Sequence, residues 1–189
     1  TSGGGLSLMV EALGLAGMAE VPVVIVDVQR GGPSTGLPTR TEQADLLFAI
    51  HAGQGEFPRI VLAPGTVEQC FEAGWRAFNL ADRYQCPVVV LSDLFLAGSL
   101  QTADPETLGF ASVAIDRGSL LDGKAPDTLG EGYRRFAITP SGISPRALPG
   151  PPGAVFSAPG PRGKPGGSGG PPTLCGNSRQ RPGPIAMRR

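Results

Sequence analysis

Val23-Val24-Ile25-Val26-Asp27-Val28-Gln29-Arg30-Gly31-Gly32-Pro33-Ser34-Thr35-Gly36-Leu37-Pro38-Thr39-Arg40 runs from a β-branched, apolar segment straight into a turn-rich loop. Unbroken branching over Val23–Val26 suits a strand covered on both faces. The loop then puts a fixed cation, Arg30, and a series of backbone donors at the strand's carboxyl end. In open α/β sheets ligands bind at that end, so the loop is a candidate site for an anion. Gly31 and Gly32 let backbone approach a ligand closely.

Outward from this stretch the chain alternates. Upstream, Leu6, Met9, Val10, Leu13 and Gly17 recur at helical spacing, which predicts a helix over about 6–19 after the Ser2-Gly3-Gly4-Gly5 turn. Downstream, Thr39-Arg40-Thr41-Glu42 fits a capping box and predicts a helix starting near Thr39, with Leu46, Leu47 and Ile50 following. Ile60-Val61-Leu62 reads as a second strand. Thr66-Val67-Glu68-Gln69 is another capping box, opening a helix whose Val67, Cys70, Phe71, Trp75 and Phe78 share one face. Val88-Val89-Val90-Leu91 is the third strand. Strands alternating with helices imply right-handed crossovers and a parallel sheet, an α/β domain over residues 1–100.

From residue 101 the pattern weakens, and residues 101–158 are expected to form an irregular extension laid over the sheet domain. Residues 159–189, rich in Gly, Pro and Arg, offer almost no apolar surface to offset ordering entropy and are expected to be disordered. The 29 Gly and 20 Pro in 189 residues agree, being more than a single packed domain usually carries. Acids and bases balance overall, but the tail holds Arg162, Lys164, Arg179, Arg181, Arg188 and Arg189 with no acid, which leaves the first 158 residues net acidic. Such a body is poorly suited to nucleic acid, which needs a concentrated basic surface.

Cys70, Cys86 and Cys175 lack the close pairing of a zinc or iron–sulfur site and read as reduced thiols of a cytoplasmic protein. No apolar run approaches the ~20 residues that span a bilayer. A signal peptide is not evident, although the chain opens on Thr1-Ser2-Gly3 and an upstream segment could have carried one.

Several enzyme signatures are missing: no Gly-x-Gly-x-x-Gly after a strand, no Walker loop, no Gly-x-Ser-x-Gly elbow. His51 is the one histidine, and a lone helical histidine is more often a packed or capping residue than a base. Arg30 has two readings, a surface arginine paired with Asp27 or Asp45, or a guanidinium that grips a ligand carboxylate through two parallel hydrogen bonds. Thr39 is either a plain helix cap or a cap that also faces the anion.

The run Val26–Thr39, with Gln43-Ala44-Asp45-Leu46 and Ser92-Asp93-Leu94, resembles the alpha subunit of 2-oxoacid:ferredoxin oxidoreductases. Thr1-Ser2-Gly3-Gly4-Gly5, the helix with Gly14-Leu15-Ala16 and a strand ending at Gln29 are similar to the pyrimidine-binding domain of thiamine-diphosphate enzymes generally. The Ser34-Thr35-Gly36-Leu37-Pro38-Thr39 variant is most similar to enzymes acting on 2-oxoglutarate. The match extends through Gly142-Ile143-Ser144-Pro145-Arg146 to about residue 158.

This resemblance implies that Arg30 binds the 2-oxoacid carboxylate and that Thr39 helps to recognise the substrate, with Ser2, Gly31, Gly32, Ser34 and Thr35 forming a cofactor or substrate loop. It implies oxidative decarboxylation with thiamine diphosphate, electron transfer through a [4Fe–4S] cluster to ferredoxin, and acyl transfer to coenzyme A. The thiamine-activating glutamate and the substrate loop would lie upstream of Thr1, so no complete catalytic set is expected in this chain. Magnesium, diphosphate and cluster ligands are expected from a partner beta subunit. Gly4 stands where the family usually has proline.

After Ala154-Val155-Phe156 the similarity stops, and the tail reads as a reading-frame change in GC-rich DNA, as a flexible linker, or as an Arg-rich nucleic-acid arm. Pyruvate and branched-chain 2-oxoacids stay open as substrates. A non-catalytic assembly fragment and a general α/β module for carboxylates are the rival readings.

Overall fold

A computed structural model describes residues 1–121, 133–137, 139–150 and 154. Three strands, β1 (Val23–Gln29), β2 (Ile60–Leu62) and β3 (Pro87–Asp93), form a parallel sheet in the order β1-β3-β2. Val23 lies opposite Pro87 and Gln29 opposite Asp93, while Ile60–Leu62 lie opposite Val88–Val90. The carboxyl ends of β1 and β3 are therefore level, and Gln29 and Asp93 stand side by side where a ligand site is expected.

β3 is the strand buried on both faces, every residue but Ser92 being inside. β1 corrects the sequence reading: Val26 is 48% exposed while Asp27 is wholly buried. The reason is position. β1 is an edge of the described sheet, so its unbroken apolar run does not bring two-sided cover.

The helix expected over 6–19 is two, α1 (Gly3–Leu8) and α2 (Val10–Ala19), separated at Met9. Leu6, Leu13, Ala16 and Gly17 are buried, whereas Met9 is 39% exposed. The helix expected near Thr39 begins later, as α3 (Leu46–His51). His51 is exposed in its last turn rather than packed.

α4 (Val67–Tyr84) starts as its sequence predicts, with Thr66 Oγ1 accepting from Gln69 N at 3.2 Å. The return arm differs, because Gln69 Oε1 accepts from Gly65 N at 2.7 Å, one residue earlier than in a capping box. Its buried face is also not the aromatic one. Ala73, Ala77 and Ala81 pack on Val88 and Val90, with Val24, Ile60, Leu62 and Leu80 around them. Small residues four apart let the helix lie close to the sheet, and larger ones there would hold it away. Phe78 is exposed, and Phe71 meets Phe110 edge-on at 4.8 Å between centroids.

α5 (Leu94–Gly98) is capped by Asp93 Oδ1, which accepts from Leu96 N at 2.8 Å. α6 (Pro105–Leu108) and a 3₁₀ turn, Phe110–Ser112, lead into a segment tied to α4. Asn79 holds it at both ends, donating to Ala114 O at 2.6 Å and accepting from Asp116 N at 2.9 Å.

Residues Thr1–Gly118 form one unit and Ser119–Arg189 a second. In the second, β4 (Leu120–Leu121) pairs in parallel with β5 (Arg146–Ala147), and the buried Arg135 donates to Ser144 Oγ at 2.9 Å. The tail expected to be disordered, residues 159–189, lies outside the described residues. Among the described residues no helix is long and apolar enough to cross a membrane.

Candidate functional site

Gln29 organises the carboxyl end of the sheet. It is 5% exposed, donates through Nε2 to Ser92 O at 3.1 Å and accepts through Oε1 from Asp45 N at 2.9 Å. One side chain thus joins β1, the end of β3 and the start of α3. Asp93 adds a second clasp, with Gln43 Nε2 donating to Oδ2 at 2.6 Å. The Leu96 N–H, then the Gln43 amide, hold the Asp93 carboxyl below its ordinary range. Gln29→Leu would strand Ser92 O and Asp45 N, and is expected to destabilise the fold by about 2–3 kcal/mol. Denaturant melts check this, an unchanged midpoint meaning that water satisfies both groups.

The loop after β1 closes on itself through main-chain bonds. Gly31 N donates to Arg40 O at 3.0 Å, Leu37 N to Gly31 O at 2.7 Å and Arg40 N to Leu37 O at 3.0 Å. Gly36 has φ +58°, and a Cβ there would collide with the Gly31 carbonyl. These bonds use residues 37–40 as a turn, so Thr39 does not cap a helix, contrary to the sequence reading. It is exposed in that turn. Thr39→Val and Thr39→Ser should both stay within about 0.5 kcal/mol of the parent in stability, as surface changes do. A thermal melt showing a clear loss for valine alone would restore the capping role.

Between this loop and the start of α1 lies a cleft of about 210 Å³, lined by Gly3, Gly4, Arg30, Gly31, Gly32 and Asp45 among others. A Cβ on Gly4 would sit 2.7 Å from Ser34 O, so any larger residue there would require the loop to move. Arg30 is half-buried and donates through Nη2 to Thr35 O at 3.2 Å. Among the described residues no acid pairs with it, so the Asp27 or Asp45 ion pair is not formed.

Of the residues singled out in the sequence, Arg30, Gly31, Gly32 and Ser34 meet in the cleft wall. Thr35 contributes its carbonyl to Arg30. Ser2 stands at the N-cap of α1 without a side-chain bond, and neither it nor Thr39 lines the cleft.

Two carboxyls that sequence reading left in the background belong to this region. Asp45 lines the cleft, and burial, reinforced by the Glu42 charge, raises its pKa against the Gly3 N–H that lowers it. Asp27 lies on β1 with neither oxygen hydrogen-bonded. Burial first, then the Asp45 charge, pushes its pKa up to about 6. A charged residue inside the apolar run of β1 was the available signal for Asp27. For Asp45 it was its place in the Gln43-Ala44-Asp45-Leu46 run.

The chain belongs to the family described as pyruvate flavodoxin/ferredoxin oxidoreductase, thiamine-diphosphate-binding, whose model matches residues 1–130. More particularly, it is 52% identical over 148 residues to the 2-oxoacid:ferredoxin oxidoreductase subunit alpha of Saccharolobus solfataricus, covering 78% of this chain and 23% of that protein. It is 57% identical over 93 residues to the 2-oxoglutarate oxidoreductase subunit KorA of Mycobacterium tuberculosis, covering 49% of this chain and 14% of that one. Among solved structures, the 2-oxoglutarate:ferredoxin oxidoreductase from Magnetococcus marinus, with 2-oxoglutarate, coenzyme A and succinyl-CoA bound, matches with a TM-score of 0.69 at 45% identity. That match covers 82% of this chain and 26% of the other. The chain spans about a quarter of the length of the Saccharolobus relative and of the Magnetococcus structure.

The described residues fit thiamine diphosphate in part. Gly3, Gly4, Gly31 and Gly32 give a wall without side chains that a flat ring could approach. A diphosphate–metal pole has no counterpart, since no group of three or more His, Cys, Asp or Glu among the described residues could hold a metal ion.

Proposed function

We propose that this chain is part of the alpha subunit of a 2-oxoacid:ferredoxin oxidoreductase, and that its substrate is 2-oxoglutarate. The observation that carries the reading is Arg30, an arginine with no acidic partner among the described residues, at the carboxyl end of a parallel strand, in a glycine-walled cleft. A guanidinium so placed binds a carboxylate through two parallel bonds and fixes its plane. The names of the relatives supply the substrate class, and the KorA relative and the Magnetococcus structure supply 2-oxoglutarate.

In this reading the chain orients and the cofactor carries the carbanion chemistry. Arg30 anchors the 2-oxoacid carboxylate. The loop Gly31–Arg40 holds Arg30 by the Thr35 carbonyl, and the Gln29 clasp fixes the loop against the sheet. Ser34, in the same cleft wall, contributes a hydroxyl, and Thr39, exposed in the loop and outside the cleft lining, is given its part in substrate recognition by the resemblance alone. A beta subunit supplies magnesium, diphosphate contacts and a [4Fe–4S] cluster, and ferredoxin and coenzyme A complete the reaction.

The test is reconstitution of the full-length chain with its beta subunit. Ferredoxin reduction and succinyl-CoA formation dependent on 2-oxoglutarate are expected, with pyruvate a much poorer substrate. Equal kcat/KM for pyruvate would remove the substrate assignment. Assembly without turnover on any 2-oxoacid would favour a non-catalytic subunit.

A further inference from the structure

We propose that Asp45 is the charge gate of the Arg30 cleft: its carboxyl takes the anion position beside the start of α1, and an anionic substrate seats fully only when that carboxyl gains a proton. The inference rests on the function proposed above and adds a specificity-determining group to it.

Asp45 stands at the N-cap of α3, where an aspartate would ordinarily accept from its own helix, yet it makes no such bond. Its carboxyl is turned instead across to α1. There it faces the Gly3 N–H, and its two oxygens lie 2.5 and 2.6 Å from where a Gly3 Cβ would be. Only glycine at position 3 permits this approach. The main chain of Asp45 is pinned as well, by Gln29 Oε1 at 2.9 Å. The carboxyl is therefore held in the cleft wall rather than swinging in solvent, and its Oδ2 is buried without a partner.

The cleft thus contains one cation and one anion that do not neutralise each other. A substrate carboxylate drawn to Arg30 enters the field of a second carboxylate in a partly dry cleft, which weakens its binding. Protonation removes that repulsion. Other charges bearing on Asp45 come from Glu42 in the preceding segment and Asp27 on β1, both acidic, while Arg30 lines the same cleft. Acids outnumber bases around the carboxyl, so uptake of a proton on binding is the expected direction. The Michaelis constant should then rise as pH climbs through the Asp45 titration.

Asp45→Asn in the full-length complex is the direct test, because asparagine keeps an oxygen to accept the Gly3 N–H. At about pH 8 the KM for 2-oxoglutarate should fall about fivefold, with kcat little changed and the dependence of KM on pH flattened. KM–pH curves that run parallel in variant and parent would overturn the gate and leave Asp45 a structural contact. Where the variant does not assemble, calorimetric titration of the unmodified complex with the unreactive analogue 2-hydroxyglutarate, in buffers of different ionisation heat, decides. Net proton uptake supports the gate, and binding without uptake overturns it. If the parent complex turns over no 2-oxoacid, the proposed function fails while the titration still judges Asp45.

Discussion

Arg30→Ala in the reconstituted enzyme should lower kcat/KM for its 2-oxoacid by about 10²–10³-fold, corresponding to the loss of a charge-assisted pair of about 3–4 kcal/mol. The effect should be confined to function. Arg30 has one described hydrogen bond, to Thr35 O at 3.2 Å, so its removal leaves no buried partner charge and little structural debt. Melting temperature and assembly with the beta subunit should stay close to the parent. Arg30→Lys separates charge from geometry: an ammonium keeps the attraction but loses the fork that fixes the carboxylate plane, so it should recover only part of the activity. A loss shared between KM and kcat would mean that the arginine also orients the reacting carbon. Near-normal turnover of the alanine variant would sink the assigned role.

The fold was legible where one residue type decides one local outcome. Val88–Leu91 and Ile60–Leu62 are strands, and Thr66 caps α4 as its sequence says. Reading failed where the decision is tertiary. Val23–Val26 carries the same apolar signal as the central strand β3, but strand order, which no local pattern encodes, put it at an edge and left Val26 half exposed. On α4 the bulky residues share a face by their spacing, while close approach to the sheet selected Ala73, Ala77 and Ala81.

At the site the same division holds. Arg30, Gly31 and Gly32 line one cleft, the placement that a permanent charge and two glycines after an apolar strand suggest. Thr39 was misread since its capping box is locally sound, yet the bonds among Gly31, Leu37 and Arg40 claim that backbone for a turn. The Gln29 clasp joins residues 16 and 63 positions away, so it is invisible to any window along the chain.

Asp27→Asn should stabilise the chain at neutral and alkaline pH and change little near pH 4. The carboxyl is wholly exposed to solvent in an unfolded chain, with an ordinary pKa of 3.8, and folding raises it to about 6 by burial and by the Asp45 charge. Between those values the folded state binds more protons than the unfolded one, so stability declines as pH rises from about 4 to about 6 and then levels off. Below that window the protonated acid and the asparagine amide have similar size and similar desolvation cost, and the two proteins should melt alike. Above it the parent holds an unpaired charge with neither oxygen bonded, at a cost of about 2–3 kcal/mol that the variant avoids. Melts at about pH 4 and pH 8 measure the difference directly. An advantage for asparagine that is equal at both pH values would show a packing effect, and a destabilised variant at pH 8 would show that the ionised carboxylate has a partner in the folded chain.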